Sequence, residues 1–355
     1  MAERKRIGII GRIDPSESMF DGQTVKTRTI WKLMVEHFGA DSVVAVDTLD
    51  YSKKPLKVAW NLLRCLVSCR DIVVLLSRGG RKIIFPVLSF ASNRFGRNIF
   101  HSLIGGWLSR DIDEDERGVL VNYLNSFKVN WVETHELVAA LAARGVRNAE
   151  YLPNFKLIAP ISKLPEEALH SPVRLCTFSR VQERKGISNA IESVDAVNAR
   201  YGRQAAMLDI YGPIDADYEH EFRKLLGNST SSSYKGCVRA EESVSTLSTY
   251  DALLFPTEWV MEGIPGTVID AFHAGLPVIS SRWRYYEELL EDGKTGLSYP
   301  FEHCEMLEDA LFRFLELDTG TVGLMREECL SRAQRYSASS AFSQMSAAIE
   351  GEGNR

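Results

Sequence analysis

The chain has 355 residues, of which 45% are apolar and 25% charged, and its formal net charge is -5. This balance is typical of a globular protein and excludes a disordered or fibrous chain, and no apolar run reaches the roughly 18 residues that span a bilayer. The length predicts two domains, because single cores stop growing at about 250 to 300 residues.

The first half of the chain alternates two kinds of segment. Short runs rich in β-branched residues alternate with stretches of helical period, which is typical of a parallel sheet covered by helices. The predicted strands are residues 6–11, 42–47, 71–77, 98–104 and 128–134. The predicted helices lie around 24–38, 57–69, 84–95, 117–126 and 135–144. The chain enters its first strand without a signal-peptide pattern, so we expect a cytoplasmic protein.

A second alternating set follows a proline-rich segment between residues 153 and 172, which indicates a domain boundary. Its predicted strands are residues 173–179, 206–212, 233–238, 251–256 and 276–281. We therefore expect an α/β protein with two Rossmann-like domains, 1–160 and 161–335. A last amphipathic helix lies within 336–355, and a return to the first domain is one arrangement open to it.

The strongest pattern for chemistry is the segment 251–281, which reads as a buried strand, a loop, a helix and a second buried strand. Pro265 and Gly266 favour a helix start, and Gly275 favours the helix end. The loop 262–266 therefore lies at a helix N-terminus. Free backbone N–H groups and the helix dipole bind anions there, so the loop predicts a diphosphate site.

Two acidic residues flank this predicted anion site. Glu262 precedes the helix, and Asp270 lies roughly 6 Å along it at a rise of 1.5 Å per residue. A carboxylate accepts hydrogen bonds from paired hydroxyl groups, and a nucleotide sugar carries such hydroxyls on both sides of its diphosphate. The alternative is a solvated loop acid beside an ordinary acid on a helix surface.

Two basic residues follow the first strand of the second domain. The segment FSRVQERKG places Arg180 and Lys185 at the carboxyl end of that strand, the edge at which open parallel sheets bind ligands. Cations there could neutralise a leaving diphosphate, as Mg²⁺ does in metal-dependent enzymes. An arginine and a lysine at this spacing are otherwise commonly solvated.

Together these segments resemble the retaining glycosyltransferases of family 4, the glycosyl transferases group 1, of polysaccharide biosynthesis. Their architecture of two Rossmann-like domains facing each other across a cleft is called GT-B. The resemblance covers most of the second domain and is carried by FSRVQERKG, LDIYGP, SYKGCV, EGIPGTVIDAFHAGLPVISS and EDGKTGLSYP. Two departures are Asp270, where the family commonly has Glu, and Gly-Ile-Pro-Gly in place of Gly-Phe-Gly.

The resemblance implies a role for each matching residue. Glu262 would contact the donor sugar and Asp270 the ribose, while Arg180 and Lys185 would hold the diphosphate without a metal or any other cofactor. The implied donor-binding positions on the backbone and nearby strands are Gly263, Ile264, Pro265, Gly266, Thr267, Gly212 and Val238.

The first domain offers further candidates. A glycine-bearing loop before the first predicted helix resembles the loop that faces the donor in GT-B enzymes, which implies that Gly22 and Gln23 lie near the reacting sugar. Lys26 or Arg28 would then lie near phosphate. His101, on a predicted strand, is implied to donate to a sugar hydroxyl. A simply capped loop and a satisfied core histidine are the alternatives.

Two Asp-x-Asp strings have the spacing that binds a metal in the other glycosyltransferase architecture. Residues 111–113 lie in an acidic run that indicates a solvated helix start, and residues 215–217 follow a strand of the second domain. The six cysteines form no CxxC pair and no cluster with histidine. We therefore expect neither a metal site nor a disulfide framework.

The basic residues are concentrated in one part of the chain. Residues 1–165 hold 24 Lys and Arg against 17 Asp and Glu, and the remainder holds 18 against 30. Residues 53–97 contain ten basic residues and one acidic residue. Residues 53–70 pair basic flanks with an apolar face made of Leu56, Trp60, Leu63, Leu66 and Val67.

This basic stretch favours an anionic membrane surface or a phosphate-bearing acceptor as its partner. A helix that faces the core, with solvated lysines, is the alternative for residues 53–70. The aromatic interleaving used on nucleic acid is absent, so no nucleic-acid partner is expected.

We expect transfer of a sugar, with retention, from a nucleotide-diphosphate donor to a glycan or lipid-linked glycan in polysaccharide biosynthesis. A uridine nucleotide is the commonest donor in the family. The product would be a capsular or envelope polysaccharide, made in the cytoplasm or peripherally on the inner face of the plasma membrane. A nucleotide-sugar epimerase and a non-catalytic protein that binds sugar nucleotides remain open alternatives.

Overall fold

The computed structural model describes residues 6–19, 21–164 and 169–351, which divide into two compact units. Unit 1 takes the described residues of Met1–Phe155 and Ala338–Arg355, and unit 2 those of Lys156–Ser337. Each unit contains one six-stranded sheet with parallel strand pairs and flanking helices. The predicted α/β class with two Rossmann-like units is confirmed.

Unit 1 is built on a sheet with strand order β2-β1-β3-β4-β5-β6. The strands are β1 Ile7–Gly11, β2 Val43–Asp47, β3 Asp71–Leu75, β4 Asn98–Ser102, β5 Val129–Val132 and β6 Ala149–Tyr151. The helices between them are α1 Gly22–Phe38, α2 Pro55–Ser68, α3 Arg78–Phe95, α4 Leu108–Asp113, α5 Val119–Ser126 and α6 His135–Ala142. Because β1 and β3 are buried along their whole length, helices cover both faces of the sheet.

Unit 2 has the strand order β12-β11-β10-β7-β8-β9. Its strands are β7 Val173–Phe178, β8 Ala206–Tyr211, β9 Ser232–Gly236, β10 Ala252–Phe255, β11 Val278–Arg282 and β12 Gly296–Pro300. Its helices are α7 Ile187–Tyr201, α8 Glu219–Asn228, α9 Ser243–Leu247, α10 Gly266–His273, α11 Met306–Leu315 and α12 Thr319–Ala333. Since the strand pairs are parallel, the carboxyl ends of all six strands lie along one edge.

The last helix, α13 Ala338–Glu350, packs on the sheet of unit 1. Its buried Phe342 and Met345 join the same apolar cluster as Ile30 and Met34 of α1. Gln344 Nε2 also donates to the carbonyl oxygen of Tyr151 at 2.9 Å. The opposite face of this sheet is covered by residues of α2, α3, α5 and α6.

The structure differs from the sequence prediction at several elements. Helix α3 begins at Arg78, before the predicted start, because the hydroxyl of Ser77 accepts the N–H of Gly80 and caps the helix. Strands β6 and β12 and helix α4 were not predicted. The acidic run at 111–113 is not a solvated helix start: Asp111 is buried and ion-paired with Arg78 and Arg81.

Candidate functional site

The predicted donor-site residues of unit 2 lie where its parallel strands end. Arg180 follows β7, Gly212 follows β8, and the half-buried Val238 follows β9. Glu262 lies in the loop between β10 and α10. The sheet therefore brings these four positions to the edge at which open α/β sheets bind ligands.

Two glycines allow the loops at this edge to pack closely. Gly212 has a φ of 131°, and a Cβ there would lie 1.8 Å from the carbonyl oxygen of Ser179. Gly186 has a φ of 66°, and its Cβ would lie 2.0 Å from the carbonyl oxygen of Pro256. Any larger residue would displace the loop that carries the two predicted diphosphate-binding cations.

Lys185 and Glu262 form an ion pair directly before α10. Lys185 Nζ contacts Glu262 Oε2, and the hydroxyl of Thr257 donates to the same oxygen at 3.3 Å. The ammonium group also lies 5.6 Å from the centre of the Phe255 ring. The fold thus holds the predicted phosphate-binding cation beside the predicted sugar-binding carboxylate.

The start of α10 has the geometry of an anion site. Pro265, with φ -67° and ψ 126°, precedes the helix, and Val268 N–H makes the first turn bond to its carbonyl at 3.1 Å. The backbone N–H groups of Gly266 and Thr267 come before that first bond, as at every helix N-terminus. They are therefore available to an anion, in the position that the sequence predicted.

Arg180 is only loosely held in the structure. Its side chain is 42% exposed, and Nη1 lies 4.0 Å from Asp215 Oδ2, the limit of an ion pair. Exposed pairs of this kind contribute little to stability. The guanidinium can therefore exchange Asp215 for a stronger anionic partner.

Asp270 is buried inside α10, which excludes the reading of an acid on a helix surface. Lys156 Nζ donates to its Oδ2 at 2.9 Å. Burial raises the pKa of Asp270 above the ordinary carboxyl value, and the charge of Lys156 acts in the opposite direction. Sequence analysis did not identify Lys156, which stands 114 positions before its partner and outside any motif.

The predicted loop of unit 1 is a capped helix start. Asp21 Oδ1 accepts the N–H of Thr24 at 3.1 Å, and the exposed Gly22 is the first residue of α1. The half-buried Gln23 accepts a hydrogen bond from the Thr27 hydroxyl through its carbonyl at 2.9 Å. A Cβ at Gly22 would meet nothing within 4 Å, so its backbone can be approached closely.

Lys26 and Arg28 already have acidic partners in the structure, and their predicted place near phosphate stays a prediction. Both are buried and engaged inside unit 1. Lys26 Nζ lies 2.6 Å from Glu133 Oε1, and Arg28 Nη1 lies 3.4 Å from Asp14 Oδ2. Buried cations need such counter-charges, because desolvation otherwise makes their burial too costly.

His101 is fully buried on β4 and packs edge to face against Phe85, with ring centroids 5.0 Å apart. The Asn130 amide donates to Leu124 O and Asn148 Oδ1, so its oxygen accepts from His101 Nδ1 at 3.0 Å. Nε2 is then the unprotonated nitrogen and can only accept. This geometry differs from the donor role that the resemblance implied.

Burial, with a further contribution from the nearby Arg81, lowers the pKa of His101 to about 3. The imidazole is therefore neutral at physiological pH.

The described residues contain no cluster of three or more His, Cys, Asp or Glu side chains arranged to hold a metal ion. Of the two Asp-x-Asp strings, Asp113 pairs with Arg144 at 2.7 Å and Asp215 faces Arg180. Among the residues that the structure describes, no helix is both long enough and apolar enough to cross a membrane.

Comparison with protein families places a known domain on this framework. Residues 165–335 match the family described as glycosyl transferases group 1. The matched range lies within unit 2 and encloses Arg180, Lys185, Glu262 and Asp270.

Two curated relatives resemble part of the chain. The amylovoran biosynthesis glycosyltransferase AmsK of Erwinia amylovora is 27% identical over 166 residues, which span 44% of this chain and 39% of AmsK. The putative colanic acid biosynthesis glycosyltransferase WcaL of Escherichia coli K12 is 27% identical over 165 residues, 44% of this chain and 40% of that protein. The matches thus span about two fifths of the relatives' lengths.

Solved structures share the fold along the whole chain. Anabaena Alr3699/HepE in complex with UDP has a TM-score of 0.74 at 14% identity, covering 98% of this chain and all (100%) of that one. The lipopolysaccharide outer core galactosyltransferase WaaB has a TM-score of 0.66 at 16% identity, covering 98% and 99%. These likenesses establish the GT-B architecture of two Rossmann-like units.

Proposed function

We propose that this chain is a glycosyltransferase of polysaccharide biosynthesis that takes its sugar from a nucleotide-diphosphate donor. One observation carries the proposal: the family match on residues 165–335 encloses an ion pair of Lys185 and Glu262 at the N-terminus of α10. The names of the curated relatives support an exopolysaccharide as the product.

The donor diphosphate lies against the first N–H groups of α10 in this proposal. Its charge displaces Glu262 from Lys185 and Asp215 from Arg180, because a diphosphate is a stronger anionic partner than either carboxylate. Glu262, once released, accepts hydrogen bonds from the donor sugar, and Asp270 accepts them from the ribose. Fixed positive charge stabilises the leaving diphosphate as the glycosidic bond breaks, without a metal.

The finer features of the donor and the reaction belong to the same proposal. The UDP bound to the similar Anabaena protein supports a uridine nucleotide, and the resemblance to family 4 supports retention. No cofactor besides the donor is required. We expect turnover to persist with a chelator, and the anomeric proton coupling of the product to match that of the donor sugar.

A glycan acceptor fits unit 1. A cavity of about 220 Å³ lies beside the carboxyl ends of β1 and β2 and is lined by Trp31, Asp47, Lys57 and Asn61, among others. An aromatic ring with polar and charged groups around it suits a sugar, which stacks one face and offers hydroxyls at its edge. A charged neighbour such as Lys57 also suits a phosphate-bearing lipid carrier.

Donor turnover in two variants tests the proposal. A panel of nucleotide sugars is screened by thermal shift, and the best ligand is then assayed for transfer to an added glycan acceptor and for slow hydrolysis. We expect Lys185→Met and Glu262→Gln each to lower kcat by roughly 100-fold or more, the loss typical of removing one group that stabilises developing charge.

Glu219→Gln is the matched control, because Glu219 forms a surface ion pair with Arg223 on α8 and lies outside the motif. It should retain full activity. Isomerised donor in the absence of an acceptor would instead identify an epimerase. Donor binding without hydrolysis or transfer would identify a non-catalytic binding protein. Turnover that requires manganese or magnesium would overturn the metal-free mechanism.

A further inference from the structure

Helix α2 turns a row of large apolar side chains toward solvent. Leu56, Trp60, Leu63 and Val67 recur at intervals of four, three and four residues and so occupy one face of the helix. Leu56 is 85% exposed and Trp60 66% exposed. A separate face of the same helix packs on the core of unit 1 through Val58, Leu62, Cys65 and Leu66.

Helix α3 repeats the arrangement. Ile83, Val87 and Phe90 recur at intervals of four and three residues, all exposed, with Phe90 at 62%. Arg97, just after α3, donates from Nη2 to the carbonyl oxygen of Val67 at 3.3 Å, which joins the ends of the two helices. Both helices also cover the same face of the sheet.

The exposed rows of α2 and α3 together form what we call the docking face. Among the described residues, fourteen large apolar side chains are exposed, and nine of them lie between residues 51 and 95. Isolated exposed apolar residues are normal on a protein surface, whereas a contiguous concentration marks an interaction site.

Cations without acidic partners surround the docking face. Five exposed side chains form no ion pair within the described part of the chain: Lys57, Arg64, Arg70, Lys82 and Arg94. Lys53 and Lys54 reach Asp50 only at 4.0 and 3.9 Å. The structure neutralises Arg78 and Arg81 through Asp111, so the excess charge of the segment lies at this surface.

We infer that the docking face binds an anionic lipid bilayer. Helices that lie at a membrane surface present apolar side chains with basic residues around them. The aromatic rings then lie at the level of the headgroups, and the cations contact the lipid phosphates. A second copy of the chain is the weaker occupant, because a two-fold contact would bring the same basic rim against itself.

Vesicle sedimentation of the full chain tests this inference independently of any enzymatic activity. At low ionic strength we expect binding to vesicles of phosphatidylcholine with phosphatidylglycerol, and little binding to phosphatidylcholine alone. Lys57→Gln with Arg64→Gln should weaken partitioning about 25-fold, since each cation near an anionic surface contributes about fivefold. Trp60→Ser with Phe90→Ser should abolish retention, and brominated lipid should quench wild-type fluorescence more than that of Trp60→Phe.

Leu324→Ser is the matched control, because Leu324 is 68% exposed on α12 of unit 2 and should not affect binding. The inference fails if the wild type remains in solution with both kinds of vesicle, or if the Trp60 and Phe90 double variant binds as the wild type does. It also fails if ultracentrifugation shows a dimer that this variant abolishes while vesicles bind neither protein.

Discussion

His101 couples the stability of unit 1 to pH, because burial lowers its pKa to about 3 while the unfolded chain titrates near 6.5. Below about pH 6.5 the unfolded state therefore binds a proton that the native state excludes, and stability falls as the pH falls toward 3. Between pH 7 and pH 5 we therefore predict that the free energy of unfolding of His101→Gln falls less steeply than that of the wild type. The difference in slope is up to about 1.4 kcal/mol per pH unit. Urea unfolding at pH 7, 6 and 5 measures it.

His303→Gln provides the control, since the side chain of His303 is 58% exposed, whereas that of His101 is fully buried. Its unfolding free energy should follow the wild type at every pH. Parallel curves for the wild type and His101→Gln would contradict a neutral, desolvated imidazole at this position.

Burial raises the pKa of the Asp270 carboxyl, and the ammonium group of Lys156 opposes that rise. Lys156→Met removes the counter-charge, so the pKa of Asp270 should rise further. A protonated carboxyl accepts ribose hydroxyls poorly. We therefore predict that the variant binds uridine diphosphate more weakly than the wild type at pH 6. At pH 8 the difference in affinity should be smaller, and titration calorimetry measures both values.

Two further variants separate this role from a general loss of structure. Lys156→Arg restores the charge and should recover nucleotide binding at pH 6. Lys294→Met removes a surface cation paired with Glu291 and should bind as the wild type does. If Lys156→Met binds the nucleotide with an unchanged pH dependence, the pairing of Lys156 with Asp270 has no part in recognition.

The sequence predicted site residues only where a residue of suitable chemistry stands in a recognisable local motif. Glu262 and Lys185 stand in motifs at strand ends, and the structure brings them into contact. The partner of Asp270 lies 114 residues away in a segment without a motif, so only the fold reveals it. The buried pairs of Lys26 and Arg28 were missed for the same reason, since a cation gives no local sign of its counter-charge.

At the scale of single elements, α13 closes the face of unit 1 that α1 leaves partly uncovered. Met345 is fully buried there, beside Ile30 and Met34. We predict that Met345→Ala destabilises unit 1 by about 2 to 5 kcal/mol through lost burial and the remaining cavity. The measurement is calorimetric unfolding, with nucleotide added to identify the transition of unit 2 by its upward shift.

Ser340→Ala, on an exposed position of the same helix, should leave both transitions in place. If Met345→Ala lowered the nucleotide-sensitive transition instead, α13 would stabilise unit 2 and its assignment to unit 1 would be wrong.

Strands were the elements that the sequence predicted best, because buried parallel strands are short apolar runs bounded by turns. Helix α2 shows the limit of that reasoning. Its sequence is apolar on two faces, and the predicted apolar face grouped Leu66 with Leu56 and Trp60. In the structure Leu66 packs on the core while the other two face solvent, a distinction that depends on how the helix lies on its sheet.

At the scale of the whole molecule, one helix contributes to two surfaces of unit 1. Lys57 and Asn61 of α2 line the cavity proposed for the acceptor, and Leu56 and Trp60 of the same helix belong to the docking face. A protein held on a bilayer by that face would have its acceptor cavity close to the lipid. This proximity favours a lipid-linked glycan over a free one.

We therefore predict that an acceptor glycan linked to lipid in anionic vesicles is used with a KM roughly 100-fold lower than the same glycan in solution. The protein and the acceptor then share one surface, which raises their effective concentration without any new contact. The value of kcat should change little, because the donor and the reacting glycan hydroxyl are the same for both acceptors. Trp60→Ser with Phe90→Ser should raise the KM for the vesicle acceptor and leave the KM for the soluble glycan unchanged. An equal effect on both acceptors would mean that these side chains serve catalysis or folding instead, and that the docking face does not select the substrate.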